Sequence, residues 1–128
     1  MSVLIVSFVI LAAAVALGTG LAVLYLRDKQ ASAAPWPVAG LHAAFGLVGL
    51  GCLILSLVLS VDGPVRGAEL GVASFGAVAA VLLAMAAVAG AGVLVTYRLG
   101  RRTGGALIAM HAVLAVSGFV VLAAYVLA

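Results

Sequence analysis

The stretch VAGLHAAFGLVGLGCLILSLVLSV, residues 38–61, decides the fold. It is 24 residues long and carries no Asp, Glu, Lys or Arg. A helix needs about 20 mainly apolar residues to cross the hydrocarbon core of a bilayer. Three further segments read the same way: about Val3 to Leu26, about Leu70 to Tyr97, and about Gly105 to Ala128. The connectors Arg27 to Pro37, Asp62 to Glu69 and Arg98 to Gly104 are short, which makes successive helices antiparallel neighbours. The expected fold is an all-α integral membrane protein, an up-down-up-down bundle of four transmembrane helices forming one domain over residues 1–128.

Composition agrees. Of the 128 residues 68% are hydrophobic and only 7% charged, far below the roughly 25% charged residues of a soluble domain. Such a chain cannot clothe a soluble globule, and an ordinary soluble enzyme, a nucleic-acid-binding domain and a disordered protein are all excluded. About 30 residues lie outside the spans, too few for a soluble catalytic domain, and no HExxH, GxSxG, Walker or Rossmann arrangement is present. The lone Cys52 permits neither an intramolecular disulfide nor a cysteine metal cluster, and reads as a small buried hydrophobe.

The basic residues give an orientation. Arg27, Lys29, Arg98, Arg101 and Arg102 fall in connectors one and three, on one side; only Arg66 falls in connector two. Basic loops stay cytoplasmic. Connectors 27–37 and 98–104 are therefore expected in the cytoplasm and both termini outside, as in a bacterial inner membrane. The first segment is read as a span rather than a cleaved signal. It lacks a basic leader, exceeds the usual 7–15 apolar residues, and is separated by Arg27, Asp28 and Lys29 from the small residues Ala31-Ser32-Ala33.

The chain also resembles itself. Gly18-Thr19-Gly20 leads to Tyr25, and Gly90-Ala91-Gly92 leads to Tyr97, a G-x-G-x-x-x-x-Y pattern offset by 72. His42-Ala43 leads to Gly49, and His111-Ala112 to Gly118, offset by 69. The reading is a duplicated helical hairpin with units 1–61 and 70–128, related by a pseudo-two-fold axis along the membrane normal. That axis makes the only two histidines mates at one depth, each roughly 7–9 Å inside the cytoplasmic end of its helix at 1.5 Å rise per residue.

An imidazole in lipid must face the bundle interior and find a partner. His42 and His111 stand on alternate helices, which are diagonal neighbours in such a bundle. Two inward imidazoles across that diagonal suit the two faces of one haem iron. His42, Gly46, Gly49, Leu53 and Ser56 form one stripe, and His111, Ala115, Gly118, Leu122 and Tyr125 another, both small beside the histidine. Gly18, Gly20, Gly90 and Gly92 sit near the same depth on the other two helices, where glycine admits close approach.

In these residues the chain resembles the membrane b-type cytochromes, in which a four-helix bundle holds haem between histidines of alternate helices with glycines on the other pair. The resemblance implies one haem b with His42 and His111 as axial ligands, and Gly18, Gly20, Gly46, Gly49, Gly90, Gly92 and Gly118 making room for the porphyrin. It implies electron transfer between a quinone or membrane partner and another redox centre, alone or within a larger membrane redox complex, with no catalysis by the chain itself. The chain departs from the quinol-oxidising members, which carry a second histidine about four turns along each ligand helix. Leu55 or Ser56 and Ala124 or Tyr125 stand there, so a single haem is implied.

A second reading stays open: a cofactor-free accessory subunit of a larger membrane complex. In it the histidines bond neighbouring carbonyls and the glycines pack helices. Met85 and Met110 read as packing residues. Small multidrug transporters share the four-span length but depend on a glutamate in the first span, which has no acid here.

Overall fold

The computed structural model describes residues 2–27, 36–59, 71, 74–101 and 103–128. Four helices account for nearly all of them: α1 (Val3–Arg27), α2 (Trp36–Leu59), α3 (Phe75–Arg98) and α4 (Gly105–Leu127). Each is long and apolar enough to cross a membrane, and the described residues contain no strand. The fold is an all-α four-helix membrane bundle. Connector residues Asp62, Arg66, Glu69, Lys29 and Arg102 lie outside the described residues.

Two helix starts differ from the sequence reading. α2 begins at Trp36, two residues early, because Pro37 fits the first turn, where its missing N–H has no intrahelical acceptor to lose. α3 begins at Phe75 rather than near Leu70, because Gly71 has φ +76° and no right-handed helix runs through it. α3 ends in a Schellman turn. Gly100 has φ +64°, its N–H donates to Tyr97 O at 3.0 Å, and the Arg101 N–H donates to Thr96 O at 3.0 Å.

α1 packs along α2 and α3 along α4, while the two hairpins touch through the narrower α1–α4 and α2–α3 seams. α2 and α4 therefore lie across one diagonal, and α1 and α3 across the other. Outward faces are apolar, as lipid requires: Val9, Leu47, Val58, Val88, Val113 and Val120 are all exposed.

The main buried cluster lies in one half. It holds Leu4 and Leu11 of α1, Leu50 and Leu53 of α2, Ala79 and Leu83 of α3, and Leu122 of α4. Phe8 and Phe119 stack beside them across the α1–α4 seam, with ring centroids 5.2 Å apart. All these residues lie toward the end that carries both termini. The opposite end, bearing Arg27, Arg98 and Arg101, is here called the basic end. From Gly18 to Arg27, Trp36 to Val48, Gly90 to Arg101 and Thr103 to Ser117, no residue whose exposure is described is buried.

Candidate functional site

Each histidine lies within the unburied stretch of its helix, seven residues before the first buried residue, Gly49 or Gly118, and faces a buried alanine, Ala14 of α1 or Ala86 of α3. The Nδ1 of His42 lies 2.8 Å from the carbonyl oxygen of Ala14 on α1. The Nδ1 of His111 lies 2.7 Å from the carbonyl oxygen of Ala86 on α3. A carbonyl only accepts, so each Nδ1 carries the proton and each Nε2 of the neutral ring keeps its lone pair. These bonds also fix the ring orientations. A carbonyl within a helix is already bonded to the N–H four residues on, but its second lone pair remains available.

Glycine makes this approach possible. A Cβ on Gly18 would stand 2.8 Å from His42 Cε1, and a Cβ on Gly90 would stand 3.0 Å from His111 Cε1. Real Cβ atoms essentially never come as close as 2.8 Å, and 3.0 Å is tighter than nine in ten such contacts, so a larger residue at either position would press on the ring. The two constellations repeat at the offsets read from the sequence: acceptors and glycines at 72, histidines at 69.

Across the α2–α4 diagonal the two rings face each other, with centroids 5.8 Å apart and planes at 87°. Neither Nε2 has a hydrogen-bond partner among the described residues, and neither is sealed from the surroundings. Imidazoles bound to opposite faces of one metal ion have centroids roughly 6–7 Å apart, given metal–nitrogen bonds of about 2 Å. A histidine ligand ordinarily donates its other N–H to a carbonyl or carboxylate, as both rings do here. Two imidazoles are a donor type that would suit one haem iron, and their 5.8 Å separation lies just under that range.

The seven glycines named above separate into three groups. Gly18 and Gly90 seat the imidazoles. Gly49 and Gly118, two turns toward the termini, are filled by leucine: added Cβ atoms would stand 2.7 Å from Leu11 Cγ and 2.9 Å from Leu83 Cγ respectively. Gly20 and Gly46 face open space, and a Cβ on Gly92 would touch only Leu107, at 3.5 Å. Met85 and Met110 are half exposed, and Cys52 is a free, half-buried thiol. The described residues hold no cluster of three or more His, Cys, Asp or Glu able to bind a metal ion unaided. The acceptors Ala14 and Ala86 and the plugs Leu11 and Leu83 escaped the sequence reading. Their one trace is the offset of 72, the same that relates Gly18 to Gly90.

No protein family, curated protein or solved structure matches the chain, so the reading of this site rests on its own geometry.

Proposed function

We propose that the chain is a small integral membrane electron-transfer protein, or the electron-transfer subunit of a larger membrane redox complex, that binds one haem b between His42 and His111. The observation that carries this reading is the pair of imidazoles. Their centroids are 5.8 Å apart, each ring is tied through Nδ1 to a carbonyl, and each Nε2 has no hydrogen-bond partner among the described residues. Haem, when bound, supplies a one-electron couple. The chain's own part is to orient both ligand nitrogens, surround them with apolar side chains and exclude water from the termini side. His42 and His111 do the first; Leu11, Leu53, Leu83 and Leu122 do the last. The basic end faces the cytoplasm on this reading, by the excess of Arg and Lys in connectors one and three.

The alternative is a cofactor-free accessory subunit. In its favour, each histidine is already hydrogen-bonded within its own hairpin, which alone stabilises a polar ring in lipid. Reduced-minus-oxidised spectra of His42→Ala and His111→Ala decide between the two. Loss of the b-type bands in both variants, with the protein still in the membrane, is expected. Stoichiometric haem retained in both sinks the proposal and leaves the histidines as staples between helices.

A further inference from the structure

We propose that the basic end carries a binding site for an anionic phospholipid at the α2–α3 seam, where the Arg98 guanidinium, held over Trp36, receives the headgroup phosphate. The site stands whether or not haem is bound. Arg98 is the last residue of α3 and Trp36 the first of α2. The guanidinium carbon lies 4.9 Å from the centre of the Trp36 ring, so the pair bridges the two helices where both spans end. Stacking occupies the face of a guanidinium and leaves its N–H edge to bind, and that planar fork matches two phosphate oxygens. Arg98 is exposed and has no Asp or Glu partner among the described residues, which contain neither. Trp36 is half exposed, as suits a tryptophan at headgroup level.

A topology signal accounts for the number of basic residues in a connector but not for their placement. Here the placement is fixed. The chain leaves Arg98 through the Schellman turn at Gly100, in which the Arg101 N–H donates to Thr96 O at 3.0 Å. Thr96 Oγ1 and Thr103 Oγ1, 2.9 Å apart, tie that turn to the start of α4. The C-terminal dipole of α3 favours a cation at Arg98, but it does not call for a stack on the tryptophan of another helix. The duplication makes the same point. At the offsets of 72 and 69, the repeat mates of Arg98 and Trp36 are Leu26 and Gly105, neither charged nor aromatic. The α1–α4 side is closed differently, by Tyr25 Oη donating to Thr103 O at 3.5 Å. The arginine–tryptophan pair is thus confined to one seam and is no general demand of the packing.

The residues below the pair select a lipid over a soluble anion. One and two turns inward from Trp36, on the same face of α2, stand Gly40 and Ala43; the corresponding residues inward from Arg98 on α3 are Leu94 and Ala91. A Cβ on Gly40 would meet nothing within 4 Å, and Ala43, Ala91 and Leu94 are exposed. A fixed cation therefore stands at headgroup level above small or exposed apolar positions. Free phosphate would engage the cation alone, whereas a phospholipid engages both.

Trp36 is the only tryptophan of the chain, so it reports directly on this site. The full chain is placed in phosphatidylcholine nanodiscs at physiological salt, which screens charges more than about 8 Å apart. Trp36 quenching is compared for brominated phosphatidylglycerol and for brominated phosphatidylcholine at equal mole fraction. The ratio gives the headgroup preference and cancels any quencher common to both; quenching by the phosphatidylcholine checks that each variant is inserted. The unmodified chain is expected to prefer phosphatidylglycerol, and Arg98→Gln to lower that preference about fivefold, the usual contribution of one basic residue at an anionic surface. Arg98→Lys is expected to keep part of it. Arg27→Gln removes the same charge from α1, diagonally opposite, and is expected to leave the preference nearly unchanged. Equal losses in Arg27→Gln and Arg98→Gln would show a diffuse field in place of a site. No preference in the unmodified chain, or one that survives in Arg98→Gln, overturns the proposal. So does a preference abolished by millimolar inorganic phosphate, which would mark a site for soluble anions.

Discussion

The termini half and the basic half of this bundle are built from the same helices and the same kinds of residue, yet only one of them is a core. In the termini half leucines enter glycine notches: Leu11 at Gly49 and Leu83 at Gly118, with Leu53 and Leu122 fully buried between. In the basic half Leu21, Val38, Ala39, Val93, Leu107 and Ile108 are each only partly buried. Lipid tails are as apolar as leucine, so helices in a membrane gain from close packing and polar bonds rather than from escaping water. A half-bundle without close packing contributes little to holding the hairpins together.

Substitutions that strike one half should therefore differ in kind from those that strike the other. The largest stability loss is expected from Leu53→Ala or Leu122→Ala, at about 1–3 kcal/mol. This is below the usual range for buried leucine because the hydrophobic transfer is muted in lipid. Ile108→Ala, in the open half, should cost the haem-free protein under about 0.5 kcal/mol. Reversible unfolding in mixed micelles measures both, and equal losses would erase the distinction between the halves.

The glycines sharpen the comparison. Gly18→Ala is expected to press the new methyl on the His42 ring and weaken haem binding about tenfold, the equivalent of 1.4 kcal/mol. Gly90→Ala should act the same way on His111. Gly20→Ala meets nothing within 4 Å and should leave haem affinity unchanged. Haem titration followed in the Soret band separates them; a loss at Gly20 equal to that at Gly18 would remove the seating role. The smallest effect belongs to Ser7→Ala, which deletes a bond to Gly49 O inside the packed half. About 0.6 kcal/mol of stability is expected, the average for polar contacts between membrane helices, with no change in haem content.

The four spans were legible because length, absence of charge and connector size leave no other fold. The diagonal placement of α2 and α4 and the common depth of the histidines followed from connector length and the offsets of 69 and 72. The division of labour among the glycines was not legible. Gly18 and Gly20 belong to the same G-x-G, and only the neighbour's side chain makes one a seat and leaves the other open. The acceptors were hidden for a related reason: Ala14 and Ala86 act through main-chain oxygens, which every residue possesses. The start of α3 was misplaced because an apolar run continues through Gly71, whose positive φ is a property of the turn and not of hydropathy.

The central claim is the proposal that the two carbonyl-anchored imidazoles of α2 and α4 ligate one haem. The most direct measurement is a pyridine haemochrome assay, with a reduced-minus-oxidised spectrum, on the unmodified chain purified from membranes of haem-sufficient cells. The account predicts a b-type spectrum and about one haem per chain, the count that two axial ligands allow. A colourless protein from the same cells would contradict it.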